Sequence, residues 1–249
     1  MSPWWPLQRA ITRRWIEAGL AGAPAGWAVK TDLFDEASGP HHPLQDIPAG
    51  FKPLGLEVDL TVAAAALPAL RRLPPGAAAV AADVRHLPFH TASVSAILSL
   101  STLDHLDSAQ EIQLALDEFA RCLRPQGRLL LTLDNPRNPE VWLRQALPAP
   151  LVRRLRADTF PLGVTLSLEA GGRSLEQAGL RVEWAGFLAH APRYPLIRLL
   201  DWLQAHGRQA MIDRLRAMIL ALEGAGTGGL RPWTGHFCAW IARREPGPG

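Results

Sequence analysis

The apolar run RLLLTLD at residues 128–134 constrains the fold of this chain more than any other feature. A strand that is apolar at nearly every position has both faces covered, as the central strands of a parallel sheet do. Shorter runs of strand character precede it at 27–32, 54–60, 77–84 and 93–100, and helix-like segments separate several of them. Strands that alternate with helices pair in parallel through right-handed crossovers, so the sequence predicts an α/β fold.

Helices are predicted from their start signals and from apolar spacing. Ser108 and Glu111 form a capping box ahead of apolar residues at helical spacing. Residues 6–20, within an N-terminal segment 1–26, place apolar side chains on one helical face, and 61–73 and 172–179 also show helical character. These segments would cover the sheet.

The second half of the chain has a looser pattern. Two further strands are predicted at 180–190 and 235–243. The segments 140–170 and 195–223 are amphipathic and contain many arginines. We expect them to form helical insertions that act as a lid and bind an acceptor, within a single domain that spans the whole chain.

Composition excludes several classes of function. The 249 residues are 48% hydrophobic and 20% charged, and the net charge of +3 comes from scattered arginines, so no nucleic-acid partner is expected. Cys122 and Cys238 lie in apolar patterns, which indicates neither a disulfide framework nor a metal site. No apolar run approaches the roughly 18 residues of a membrane span. The charged N-terminus does not resemble a signal peptide, and we expect a cytoplasmic protein.

The stretch KTDLFDEASG at residues 30–39 places Asp32, Asp35 and Glu36 directly after the first predicted strand. Three carboxylates repel a phosphate and attract a cationic ligand. The structural alternative is a solvated loop that caps a helix through Ser38 or Asp35.

Three segments carry a family resemblance: AADVRHLPF (81–89), SVSAILSLSTLDHL (93–106) and LDEFARCLRPQGRLLLTLDNP (116–136). Together they resemble class I S-adenosylmethionine-dependent methyltransferases of the small-molecule type, over about residues 27–136. The resemblance implies a Rossmann-like, mostly parallel seven-stranded sheet with helices on both faces. Its last strand would be antiparallel and inserted between strands five and six. It also implies S-adenosylmethionine as cofactor and a small molecule as methyl acceptor.

The chain departs from this family after its first strand. The family has a glycine-rich loop, D-x-G-x-G-x-G, whereas this chain supplies only Gly39. Asp32 would occupy the place of the family's strand-one acid. The alternative function is therefore a catalytically inactive relative, kept for binding or as a partner subunit. A nicotinamide-dependent oxidoreductase is disfavoured because the chain lacks G-x-G-x-x-G after a strand.

The resemblance assigns acids to the adenosine part of the cofactor. Asp59, or Glu57 two residues earlier, would end the second strand and accept hydrogen bonds from the ribose hydroxyls. The Asp83 carboxylate and the Val84 backbone N–H would recognise adenine. The structural alternatives are that Asp59 caps the following helix and that the LPF sequence after Asp83 forms a simple turn with a buried Phe89.

The remaining contacts follow the later strands. Backbone groups of Ser99 and Leu100 would meet the amino-acid part of the cofactor. His105 with Asp104 would accept a proton from the acceptor, since histidine titrates near neutral pH. Alternatively, these two residues merely begin the next helix. The turn DNPRNP after strand five either binds the acceptor or is purely structural.

Overall fold

The computed structural model describes residues 2–38, 42–72, 78–147, 163–224 and 229–245. It contains a seven-stranded sheet: β1 Gly26–Thr31, β2 Phe51–Glu57, β3 Ala78–Ala81, β4 Val94–Leu100, β5 Leu123–Asp134, β6 Leu180–Leu188 and β7 Phe237–Arg244. The strand order is β3-β2-β1-β4-β5-β7-β6. The first five strands pair in parallel, and β7 runs antiparallel to both β5 and β6. The predicted sheet and the position of its last strand are confirmed.

The helices in the described residues are α1 Trp4–Leu20, α2 Phe34–Ser38, α3 Leu60–Leu70, α4 Ala109–Cys122, α5 Pro139–Ala146, α6 Leu168–Gln177, α7 Arg193–Ala205, α8 Gln209–Gly224 and α9 Arg231–Thr234. Single 3-10 turns occur at Pro43–Asp46 and at Leu103–His105. The described part of the chain has no helix long and apolar enough to cross a membrane.

Alternating residues of β5 face two different cores, as expected for a doubly covered strand. Leu129 and Leu131 belong to the cluster that contains Phe119 of α4. Leu130 belongs to the cluster that contains Trp15 of α1. Helices therefore cover both faces of the sheet, as predicted.

The strand ends that could form a binding site lie at one edge of the sheet. The parallel strands all finish at this edge, and antiparallel β7 starts there, with Phe237 paired to Asp134 at the end of β5. β2 and β4 lie on opposite sides of β1, so the chain order reverses at β1. Open α/β sheets bind ligands in the crevice outside such a reversal.

The second strand begins and ends earlier than the sequence predicted. β2 spans Phe51–Glu57 rather than 54–60. Asp59 therefore lies beyond the strand and is the N-cap of α3, where its side chain accepts hydrogen bonds from the backbone N–H groups of Thr61 and Val62. Because the Asp59 side chain bonds to the backbone of the first turn of α3, the chain enters the helix here instead of extending β2.

The predicted lid segments are partly helical where they are described. α5 and the start of α6 lie in 140–170, but residues 148–162 lie outside the described part of the chain. α7 and α8 occupy the segment 195–223 and form a common apolar cluster with α1, through residues such as Leu7, Leu200 and Ile212.

The start of α4 allows a first test of the local sequence signals. The Ser108 hydroxyl accepts a hydrogen bond from the Glu111 N–H at 3.2 Å, and Glu111 accepts one from the N–H of Asp107 rather than of Ser108. We expect Ser108→Ala to lower the free energy of unfolding by about 1 kcal/mol, measured by urea denaturation. Gln110→Ala, in the same exposed turn, should change it by less than about 0.5 kcal/mol. Equal effects would contradict the capping role.

Candidate functional site

A cavity of about 220 Å³ opens at this edge of the sheet. The segments after β1, β4 and β5 line one side, and the residues that enter β7 lie beside them. Trp4, Gln8, Ile11 and Trp15 of α1 line the other side. The cavity thus lies in the crevice where the topology predicts a ligand.

Three strained residues border the cavity. Asp32, Ser101 and Ala189 follow the ends of β1, β4 and β6, and their φ angles are 68°, 50° and 59°. Side chains other than glycine disfavour this left-handed region. Such strain persists only where the surrounding structure imposes it, and it concentrates at functional sites. The backbone strain is therefore evidence for a functional site at this cavity, and it does not depend on the chemistry of the side chains.

A buried ion pair shapes the segment that replaces the glycine-rich loop. Lys30, 1% exposed, reaches from β1 to Glu36 of α2, with Nζ 2.9 Å from Oε2. It also donates to the backbone carbonyl of Asp32 at 2.6 Å. The other Glu36 oxygen accepts from the Leu44 N–H at 3.1 Å. Burial alone lowers the pKa of Lys30, but the carboxylates of Glu36 and Asp32 raise it overall, so the Lys30 ammonium is charged.

One bulky residue of this segment, Leu33, packs away from the cavity. Leu33 is fully buried in a separate cluster with Leu44, Ala66 and Leu70. Gly55 of β2 makes room for it, because a Cβ there would lie 2.5 Å from a Leu33 methyl carbon. Leu33 therefore stays out of the crevice, whereas Asp32, Phe34 and Asp35 of the same segment line it.

Two acidic residues are in contact at this edge of the sheet: Asp104, which follows β4, and Asp134, the last residue of β5. Asp104 is 1% exposed, and its Oδ2 accepts a hydrogen bond from the Asp134 N–H at 2.9 Å. Its Oδ1 is buried with no hydrogen-bond partner among the described residues. Burial, followed by the charge of Asp134, raises the pKa of Asp104 to about 7. Asp134 lies 3.4 Å from Nη1 of Arg144.

His236, the residue before β7, lies between the carboxylates of Asp134 and Glu140. Its Nε2 is 3.8 Å from Oδ1 of Asp134, and its Nδ1 is 3.7 Å from Oε2 of Glu140. These distances are too long for hydrogen bonds. The side-chain amides of Asn135 and Asn138 both donate to the carbonyl of Gly235, which fixes the approach to His236. The DNPRNP turn therefore has a structural role.

The structure brings together some of the residues that the sequence singled out. Asp32, Leu100, Asp104 and His105 all line the cavity. Ser99 is fully buried, paired with Thr31 of β1, and its hydroxyl has no hydrogen-bond partner among the described residues. Asp104 and His105 lie on their own 3-10 turn and not in α4, which begins at Ala109.

Asp59, Asp83 and Val84 lie outside this cavity, towards the ends of β2 and β3. Both carboxylate oxygens of Asp83 accept hydrogen bonds from the Arg85 guanidinium, at 2.6–3.1 Å. This pairing lowers the pKa of Asp83. Glu57, which ends β2, accepts from the Leu33 and Asp59 N–H groups at 2.8 and 3.0 Å and so joins the two strand ends. The sequence-predicted acids therefore do not share one pocket.

Sequence reasoning missed Lys30, His236 and the aromatic wall of α1. It singled out Glu36, but as part of a ligand-binding or solvated acidic stretch and not as the buried partner of Lys30. A lysine inside an apolar strand, followed six residues later by an acid, was an available signal for a buried pair. His236 was harder to find, because only the antiparallel pairing of β7 brings it to the carboxyl end of β5.

Comparison with known proteins gives one family match. The model of a family described as a methyltransferase domain matches residues 41–131. This region runs from the segment before β2 to within β5. A search of the curated proteins finds no match to this chain.

Solved structures share the fold over most of the chain. A putative sarcosine dimethylglycine methyltransferase from Galdieria sulphuraria is 14% identical, with a TM-score of 0.61 over 94% of this chain and 85% of that one. Geranyl diphosphate C-methyltransferase from Streptomyces coelicolor, solved with S-adenosyl-L-homocysteine, is 15% identical, with a TM-score of 0.58 over 94% and 79%. The cyclase SpnF is 16% identical, with a TM-score of 0.59 over 94% and 81%. At these identities the likeness shows the fold alone.

Proposed function

We propose that this chain is a class I S-adenosylmethionine-dependent methyltransferase that binds S-adenosylmethionine and transfers its methyl group to a small molecule. The methyltransferase-domain match over residues 41–131 and the shared fold support this proposal. The observation that carries the proposal is the acid-lined cavity at the ends of β1 and β4, bordered by Asp32 and by Asp104, whose Oδ1 has no hydrogen-bond partner among the described residues. Carboxylates suit a ligand that carries an ammonium and a sulfonium.

The proposed cofactor contacts run along the edge of the sheet. Asp32 and the backbone of Ser99 and Leu100 would hold the amino-acid end, next to the cavity. Asp59 would accept from the ribose hydroxyls; it is exposed while its carboxylate caps α3.

Asp83 and Val84 would hold the adenine at the end of β3. For Asp83 to accept a hydrogen bond there, its carboxylate must give up part of its contact with Arg85. Arg85 also pairs with Glu111, which offers the guanidinium an alternative partner.

The chain's own residues supply positioning and proton transfer. When bound, the cofactor supplies a methyl group activated by the sulfonium. The aromatic wall of α1 excludes water from the cavity and orients the acceptor. Asp104, with a pKa of about 7, takes the proton that the acceptor loses, and exposed His105 beside it passes the proton to solvent.

Calorimetric titration with S-adenosylhomocysteine tests the proposal. We expect saturable binding by the wild type, because the product retains the ammonium and adenosine groups. Asp59→Ala and Asp83→Ala should each weaken binding about tenfold, the loss of one charge-assisted contact. Asp107→Ala is the matched control, since Asp107 is exposed and does not line the cavity; it should leave binding unchanged.

Absence of binding at millimolar ligand would overturn the enzymatic proposal and favour the alternative of a methyltransferase-like protein kept for another purpose. Binding that is insensitive to Asp59→Ala and Asp83→Ala would retain the function but refute the proposed adenosine contacts.

A further inference from the structure

The cavity wall contains more acidic than basic side chains. The acids are Asp32, Asp35, Asp104 and Asp134, and the bases with permanent charge are Arg144 and Arg193. Arg144 compensates Asp134, which lies 3.4 Å away. Burial raises the pKa of Asp35, and the positive charges of Lys30 and, more weakly, Arg193 oppose this effect. Asp104 differs from both, because its strongest charged neighbour is another acid, Asp134.

Asp104 also lacks a hydrogen bond that its carboxylate needs. Its Oδ2 is occupied by the Asp134 N–H, while its Oδ1 has no partner among the described residues, although the side chain is almost fully buried. A buried acceptor without a donor and a buried like-charge pair both cost free energy. A cation with N–H donors, bound at Oδ1, relieves both costs at once.

Aromatic side chains surround the same cavity. Trp4, Trp5 and Trp15 come from α1, Phe34 follows the end of β1, and Phe237 begins β7. Aromatic faces attract cations and also accept apolar groups. A carboxylate beside aromatic walls is a combination that selects an organic ammonium over an anion of similar shape.

We infer that the methyl acceptor is a primary or secondary amine on an apolar body, whose nitrogen binds at Asp104; this rests on the proposed methyl transfer. The amine enters as an ammonium and transfers one proton to the Asp104 carboxylate, and the electron pair of that N–H bond stays on nitrogen. That pair forms the new bond to the methyl carbon, while the pair of the broken carbon–sulfur bond stays on sulfur. Charge and atoms balance without a further reactant.

Calorimetry with three probes of similar shape tests this inference on the full chain. The probes are phenethylamine, phenethyl alcohol and phenylpropionate, each titrated into protein saturated with S-adenosylhomocysteine and into protein without it. We expect the amine to bind at least tenfold more tightly than the alcohol, and the carboxylate to bind least. Asp104→Asn should remove the preference for the amine while the alcohol binds within twofold of the wild type. Asp107→Asn, three residues away on the surface, should keep the preference.

The outcomes separate the two proposals. If S-adenosylhomocysteine binds but the wild type binds the alcohol or the carboxylate as tightly as the amine, the inference is overturned and the proposed function stands. If S-adenosylhomocysteine does not bind, the proposed function fails, and the amine inference fails with it. The comparison of probes on the wild type needs no variant, so a poorly folded Asp104→Asn does not prevent the test.

Discussion

Lys30→Met should lower the free energy of unfolding by about 3–5 kcal/mol, because it leaves the Glu36 carboxylate buried without its cation. Both side chains of this pair are at most 2% exposed, so water does not replace the lost partner. For a chain of this length, the loss corresponds to a decrease in Tm of about 10 °C. Urea denaturation and thermal melting measure the two quantities.

A double variant separates the charge effect from the loss of packing. Lys30→Met with Glu36→Gln removes both charges and should recover much of the stability, because two neutral groups of similar volume replace the pair. The matched control is Arg13→Gln, which breaks an exposed pair with Glu17 of similar length, 2.7 Å, and should cost at most about 1 kcal/mol. If Lys30→Met costs no more than this control, the ion pair does not hold the segment after β1.

The same pair shows where sequence reasoning succeeded and where it could not succeed. The α/β fold with parallel strand pairing followed from patterns within single segments, such as the doubly buried run of β5, and from topological rules for α/β sheets. The seven-stranded sheet with its last strand inserted antiparallel was instead what the family resemblance implied. The packing of Glu36 against Lys30 depends instead on how α2 folds back over β1, which the local pattern does not encode. The acidic stretch was therefore interpreted as ligand-binding or solvated, whereas Glu36 is buried and structural.

The residues of the candidate site also form two groups, those that the sequence predicted and those that it did not. Asp32 and Asp104, which follow β1 and β4, were placed at the site by the family resemblance, and both line the cavity. His236 and the tryptophans of α1 come from distant parts of the sequence. Only the antiparallel insertion of β7 and the packing of α1 on α7 and α8 bring them to the cavity.

Asp104 should make the protein less stable as the pH rises from about 4 to 7. Its folded-state pKa of about 7 exceeds the ordinary value of 3.8, so the folded state binds more protons than the unfolded state in this range. The stability that protonated Asp104 contributes is fully present below the unfolded pKa and is lost as the pH rises through the folded pKa. Each unit of difference in pKa corresponds to about 1.4 kcal/mol.

Comparison with Asp104→Asn isolates this contribution, because Asp32, Asp35 and Glu223 also have raised pKa values and titrate in both proteins. The asparagine oxygen can still accept the hydrogen bond from the Asp134 N–H. We expect the stability of the variant relative to the wild type to increase by roughly 2–3 kcal/mol between pH 5 and pH 8, from urea denaturation at each pH. A difference that is the same at both pH values would show that the Asp104 carboxylate ionises normally, and the site would lose its proposed proton acceptor.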